Sequence, residues 1–319
     1  MPSWNPLPKL LRRRKINQKN GPARQRVVSK HSGRPGGIIA VMKSLKTIAA
    51  ARRWRKGSEK KVVLVPTMGA LHHGHEALIR HARKLAGTDG EVVVSIFVNP
   101  TQFGPKEDFN AYPRPLAKDL AVCKRAGADA VFLPRVDEMY AADASVTIGE
   151  SSLSDTLCGR SRPGHFGGVC TVVAKLFLAT QPTHAVFGEK DWQQLAIIRR
   201  MVRDLNFPIA IEPFPTVREP DGLAASSRNA YLTPAERILA PRIHAAMAEA
   251  SKLKSPGPIV KSCTAAIGKI PGARIDYIEA VDASTLRSLS NRKTAGRLAV
   301  AVFLGKARLI DNIPLPSIS

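Results

Sequence analysis

Residues 66–75 read PTMGALHHGH, and three of the chain's eight histidines, His72, His73 and His75, fall within four positions there. Imidazoles so spaced can bind anions, ligate a metal or move protons. His72 and His75 are three apart around Gly74, so both can face one side of a turn. The stretch follows the apolar run Val62-Val63-Leu64-Val65 and precedes a helical pattern, which places His75 at a helix start. A helix N-terminus draws anions through its free N–H groups and its dipole. Gly69 and Gly74 let the backbone come close to a ligand. The pattern supports a phosphate site with two imidazole donors; a loop carrying chance surface histidines is the weaker reading. His73, between the two, is expected to face solvent.

Two further clusters could share that chemistry. Gly188-Glu189-Lys190-Asp191 sets a cation beside a carboxylate directly after the apolar Ala185–Phe187. Ser226-Ser227-Arg228-Asn229 offers two hydroxyls and a guanidinium in sequence, a plausible phosphate clamp. Either alone reads as surface decoration. Together with the paired histidines they suggest a nucleoside triphosphate gripped from several sides. The Gly-rich run Cys158–Gly168 could bind phosphate, but a structural loop is the stronger reading. No GxxxxGK[ST] loop occurs.

Those clusters need elements to hold them. Val62–Val65, Val92–Val98, Ala130–Leu133 and Ala185–Phe187 read as strands, and Ile209–Pro213 as a further extended piece. Glu76–Ala86, Leu116–Ala126, Val169–Ala179 and Trp192–Leu205 read as helices. Strands alternating with helices indicate an α/β domain with a parallel sheet. In such sheets ligands bind beyond the carboxyl ends of the strands. Beyond about Val217 the pattern changes: one helix over Pro234–Leu253, followed by Pro256, Gly257 and Pro258, then strands over Ile275–Val281 and Leu298–Phe303. The expected architecture is a Rossmann-like nucleotide-binding domain over 42–216 and a smaller α+β domain over 217–319.

Composition bounds the rest. The net charge is +24, but residues 1–58 carry 16 Lys or Arg and no acid. That leaves 33 basic against 25 acidic residues, a surplus of 8, for the remainder. Residues 1–41 form a basic leader whose first forty residues have no apolar periodicity and are expected to be disordered. An organelle transit peptide, a basic RNA-binding arm and an upstream translation start with Met42 as the first residue all remain open for it. No apolar run approaches the ~18 residues of a membrane span. Four widely spaced cysteines with no CxxC pair favour a reducing cytoplasm over a disulfide framework.

The ordered motifs resemble one family closely. PTMGALHHGH is similar to the HIGH-type motif of the nucleotidyltransferase superfamily in its pantothenate synthetase (pantoate–β-alanine ligase) version. Phe97–Phe103 matches FVNPxQF, and Tyr112-Pro113-Arg114 with Asp119 matches YPR…D. Arg162–Phe166 with Gly168-Val169 matches RPGHFxGV, and Phe187–Asp191 with Gln193-Gln194 matches FGxKDxQQ. Asp221–Ala224 and Ser226–Asn229 match DGLAxSSRN, and Arg308–Asn312 resembles the family's C-terminal end. The resemblance runs from about Met42 to Pro314.

It implies a two-step ligase: ATP adenylates pantoate, pyrophosphate leaves, and β-alanine attacks the pantoyl adenylate to give pantothenate and AMP. His72, His75, Lys190 and Arg228 would be the catalytic set, with His75 the family's proton donor. The nucleotide would meet Met68, Gly69, Ala70, Leu71, His72, His73, Gly74 and His75. It would also meet Gly188, Glu189, Lys190 and Asp191, the last on the ribose, and Val217, Ala225, Ser226, Ser227 and Arg228. Gln102 and Gln194 would hold pantoate, and Gln102 would also contact β-alanine. Mg²⁺ would bridge the phosphates near Asp119. Imidazolium, Lys, Arg and Mg²⁺ would supply the charge. A cytoplasmic homodimer with no membrane and no specific nucleic acid completes the implied picture. Two departures stand out: Ala225 replaces a Met or Leu and is expected to loosen the adenine pocket, and Cys158 stands where an acid is common. Another adenylyl- or cytidylyltransferase would share the histidine turn but not need Gln102 and Gln194. An RNA-binding role lacks aromatic interleaving in the leader, and an inactive relative would not need His72, His75, Lys190 and Arg228.

Overall fold

Chain order in the computed structural model follows the alternation of apolar runs. It describes residues 41–105 and 107–318; apart from Val41, the expected leader lies outside them. β1 (Lys43–Leu45) and α1 (Ile48–Arg55) come first, α1 capped by the Thr47 hydroxyl, which accepts from the Ala50 N–H at 3.1 Å. Neither was legible, because three residues of strand carry no period. There follow β2 (Val62–Thr67), α2 (His73–Ala86), β3 (Glu91–Ile96), α3 (Leu116–Ala126), β4 (Ala130–Phe132) and α4 (Val136–Met139). Next are α5 (Leu157–Ser161), α6 (His165–Thr180), β5 (His184–Gly188), α7 (Trp192–Asp204) and β6 (Ala210–Phe214).

The six strands make one parallel sheet in the order β1-β4-β3-β2-β5-β6. The middles of its central strands, Val62–Val65, Val92–Val94 and Ala185–Phe187, are apolar without alternation because both faces are covered. Val62 and Leu64 pack with α1, α6 and α7, while Val63 and Val65 pack with α2 and α3. From β2 the chain goes to β3 and β4 on one side, then returns to β5 and β6 on the other. The carboxyl ends of β2 and β5 therefore flank a topological switch point, where open α/β sheets bind ligands.

The chain continues as α8 (Pro234–Leu239), α9 (Pro241–Ala250), α10 (Pro256–Gly268), β7 (Ala273–Asp282), β8 (Gly296–Leu304) and β9 (Ala307–Leu315). The last three strands form an antiparallel sheet, β7-β8-β9, with α9 and α10 packed on it. One local expectation is corrected. The single helix over Pro234–Leu253 divides at Ala240, because Pro241 has no N–H and its ring would strike the carbonyl four residues back. Pro256-Gly257-Pro258 starts α10: Pro256 sits in the first turn, where a missing N–H costs nothing. Residues from Val41 onward cluster as one compact unit. Among the described residues no helix is long and apolar enough to cross a membrane.

Candidate active site

The histidine turn leaves β2 at the switch point. Gly69 has φ +83°, and a Cβ there would lie 2.9 Å from an Asp119 carboxylate oxygen. Ala70 is also left-handed, at φ 50°, a conformation that costs a non-glycine residue energy. Asp119 of α3 holds it: its two oxygens accept from the N–H groups of Ala70 (2.9 Å) and Leu71 (2.7 Å). Asp119 is 1% exposed, and burial raises its pKa against the pull of those two bonds. Each carboxylate oxygen accepts one N–H of the turn, so Asp119 serves in this structure as the brace beneath it. No group of three or more His, Cys, Asp or Glu among the described residues could hold a metal ion.

The turn delivers His72 as the cap of α2 and His75 in its first turn. The Gly74 N–H donates to His72 Nδ1 at 3.1 Å, and the His72 N–H donates to His75 Nδ1 at 3.4 Å. A backbone N–H can only donate, so each Nδ1 is the acceptor and each Nε2 carries the proton. The rings stand 4.1 Å apart. Burial, then the neighbouring His75 and Lys190, push His72 down to about 2; burial and Lys190 push His75 down to about 4. Both are neutral N–H donors, where imidazolium cations were expected. Gly74 permits this closeness, since a Cβ there would meet His72 Nδ1 at 2.9 Å and the Ala225 Cβ at 3.1 Å.

Met68, Gly74 and both histidines line a cleft of about 230 Å³. Gly188, Lys190, Asp191, Gln102, Gln194, Val217, Ala225, Ser226, Ser227 and Arg228 complete the predicted part of its wall. Other predicted residues are not part of that wall. Gly69, Ala70 and Leu71 form the back of the turn. His73 is half-exposed, with Nδ1 3.7 Å from Glu219. Glu189 turns to Arg297 at 3.1 Å. Ala225, part of the wall, is buried at the foot of the histidine turn. The glutamine pair divides: Gln193 is buried and braces the Cys158 N–H and the Leu153 carbonyl, while Gln194 lines the cleft.

Asn99 and Asp108 are site residues the sequence reading did not single out. Asn99 is 1% exposed and follows β3. Its Oδ1 accepts from the Thr101 N–H at 3.4 Å, and its Nδ2 donates to the Gly168 carbonyl at 3.1 Å. Those backbone partners fix which way the amide points. Nδ2 also donates to Gln102 Oε1 at 3.1 Å, so Gln102 must present its NH₂ to the cleft, beside Met68 Sδ at 3.1 Å. Across the cleft, the Ser226 hydroxyl caps the 3₁₀ turn Ser227–Tyr231 by accepting from the Arg228 N–H. Asp108 accepts from Arg228 at 3.1 Å and from the Tyr231 hydroxyl at 3.2 Å. Tyr112 stands 3.3 Å from the Ser227 hydroxyl. Behind Lys190, Asn312 of β9 donates to the carbonyls of Glu189 (2.8 Å) and Lys190 (2.9 Å). The cleft shares Lys190, Asp191, Gln194, Ser226 and Arg228 with a second chamber of about 480 Å³ against the antiparallel sheet.

Residues 38–314 match the family model described as pantoate-beta-alanine ligase. The chain belongs to the pantoate–β-alanine ligase family. A pantothenate synthetase of Akkermansia muciniphila is 55% identical over 264 residues, 80% of this chain and 92% of that one. One of Moorella thermoacetica is 50% identical over 284 residues, 86% of this chain and 99% of that one. The crystal structure of a Thermus thermophilus pantothenate synthetase covers 86% of this chain and all of its own, with 44% identity and a TM-score of 0.80. A Francisella tularensis pantoate-beta-alanine ligase, solved with beta-gamma ATP and beta-alanine, has 34% identity and a TM-score of 0.71 over 86% of this ligase and 97% of its own chain. The parallel sheet with its small antiparallel partner is thus the ligase family's fold.

Proposed function

We propose that this ligase condenses pantoate with β-alanine in two steps within the one cleft. In the first, a pantoate carboxylate oxygen attacks the α-phosphorus of ATP. The new bond is C(O)–O–P, the bond to the β-phosphate oxygen breaks, and pyrophosphate leaves. In the second, the amine of β-alanine attacks the acyl carbon. The amide forms, the acyl–phosphate C–O bond breaks, AMP leaves and the amine gives up a proton.

The observation that carries this reading is the pair of neutral imidazoles, tautomers set by backbone N–H groups, facing Lys190 and Gln194 in one cleft. In-line displacement at phosphorus needs donors positioned where charge develops rather than a covalent nucleophile. His72 and His75 offer Nε2–H groups there, and Lys190 and Arg228 offer charge. Asp191 takes the ribose, and Met68 and Val217 border the nucleotide. Gln102 and Gln194 suit pantoate because an amide can hold the acid without the fixed cation that would blunt its nucleophilicity. Mg²⁺ arriving with ATP would supply positive charge against the phosphates; among the described residues no group of three or more His, Cys, Asp or Glu could hold it by itself. Residues 42–216 supply the histidine turn, Lys190 and both glutamines; residues 217–319 supply Arg228 and the support behind it.

The test is AMP release with ATP, pantoate and β-alanine, omitting each in turn. Release should need all three, with pyrophosphate appearing from ATP and pantoate alone. Turnover with a different acid or without pantoate overturns the reading. We extend to this chain the homodimer and cytoplasmic location implied by the family, tested by sedimentation velocity and by cell fractionation.

A further inference from the structure

The RPGHF segment, Arg162–Phe166, has no part in the roles above, yet two of its side chains converge on Gln102. His165 Nδ1 lies 2.8 Å from the Gln102 backbone oxygen. A carbonyl can only accept, so Nδ1 carries the proton and Nε2 the lone pair. That lone pair faces Arg162 Nη1 at 2.9 Å, and a guanidinium can only donate. Arg162 in turn grips Glu107 with two parallel bonds, Nε to Oε1 at 2.6 Å and Nη2 to Oε2 at 2.7 Å. Glu107 also accepts from the Gly104 N–H at 3.1 Å, closing the relay back onto the segment that follows Gln102. The Arg162 side chain is 15% exposed and that of Glu107 27%, so the ring of contacts is sheltered.

We propose that His165, held by Arg162 and Glu107, is a positioning residue that fixes the Gln102 carbonyl and thereby aims the Gln102 amide at pantoate. This rests on the assignment of Gln102 to the acid site. Asn99 holds the side-chain end of Gln102 and His165 holds its backbone end, so the amide is clamped at two points. Without the imidazole, the carbonyl keeps only a 3.4 Å contact to Arg162 Nη2. Burial, followed by the adjacent Arg162, pushes the His165 pKa down to about 4, in keeping with a ring that works as a neutral bridge. A donor displaced by a fraction of an ångström loses much of its worth to a reacting group.

The experiment is a double-mutant cycle on the full chain, read as the KM for pantoate and, separately, for ATP. His165→Ala should raise the pantoate KM by roughly 3- to 10-fold, the range for loss of one neutral hydrogen bond, and leave the ATP KM near its starting value. In a Gln102→Ala background the same substitution should add nothing, because the amide it aims is gone. His165→Asn keeps an N–H within reach of the carbonyl and should recover most of the loss; it also serves if the alanine variant folds poorly. Additive effects in the cycle overturn the proposal, since His165 would then touch substrate itself. So does a failure of Asn to rescue. A normal pantoate KM in Gln102→Ala removes the acid site and the relay with it. A raised KM in Gln102→Ala beside a normal one in His165→Ala removes the relay alone.

Discussion

The cleft has two turns to which we assign the phosphates, and they are built on different principles. Gly69–His75 is largely self-contained. Its two imidazoles are oriented by backbone N–H groups two and three residues away, and one carboxylate, Asp119, secures the strained backbone behind it. Ser226–Arg228 is held from afar. Asp108 and Tyr112 reach it from a segment more than a hundred residues earlier. The segment leading to it is anchored where Arg218 donates to Asp311 of β9 through two bonds, at 2.6 and 2.9 Å. Local turns place groups with few parts; a turn held by distant carboxylates depends on the packing of the whole chain. The antiparallel sheet thus supports the site through Asp311 and Asn312 without lining the cleft proper.

The largest expected effect would come from breaking the distant support. The Asp311 side chain is 6% exposed, and Asp311→Ala takes away the carboxylate of Arg218, leaving it the Gly222 carbonyl at 3.1 Å. Removing one member of a buried pair costs about 3–5 kcal/mol, so the urea midpoint should fall clearly and the KM for ATP should rise. An unchanged midpoint would mean that Arg218 finds other partners and the second turn is as self-contained as the first.

Next comes the histidine turn itself. His75→Ala should lower the rate of pantoyl adenylate formation by a factor on the order of 10² or more, as for a lost preorganised donor. The urea midpoint should change less than in Asp311→Ala. Near-normal adenylate formation would take His75 out of the mechanism and leave the second turn as the principal phosphate grip.

Between the turns, Gln194→Ala should raise the pantoate KM by roughly 10- to 150-fold, the loss of one hydrogen bond to a charged group at ~1.5–3 kcal/mol. Lys190→Ala and Arg228→Ala should instead impair ATP use. Separate titrations of ATP and pantoate decide it. A Gln194 variant that loses ATP affinity and keeps pantoate affinity would move the acid site elsewhere.

The smallest effect is a pH dependence. His75 is a base whose folded pKa, about 4, lies below its ordinary 6.5, so the unfolded chain binds the proton more readily. The stability this contributes is full above about pH 6.5 and is lost progressively as pH falls toward 4. Buried His72 and His165 act in the same sense, whereas carboxylates such as Glu107, held near 2 by Arg162 against its burial, lose theirs only at lower pH. Between pH 6.5 and 4.5 the wild-type unfolding midpoint should therefore decline more steeply than that of His75→Ala. Parallel slopes would show that His75 is not held neutral.

The same contrast marks what could be read from the chain alone. Residue types and short spacings determined the parallel-sheet class, because buried apolar runs such as Val62–Val65 carry their own pattern. They also determined the histidine turn, where His72, Gly74 and His75 act on one another within four residues. Ser226–Arg228 could be named from its residues, but not what holds it: Asp108 and Tyr112 reach the turn, and Asp311 the Arg218 before it, only when distant segments pack. The protonation of His72 and His75 belonged to the tertiary structure too, since it follows from burial and a neighbouring Lys190 brought in from the end of β5. Asp119 shows the limit most clearly. The family resemblance set it near Mg²⁺, but nothing in the sequence told that α3 carries it beneath a left-handed turn, where its two oxygens accept from the Ala70 and Leu71 N–H groups.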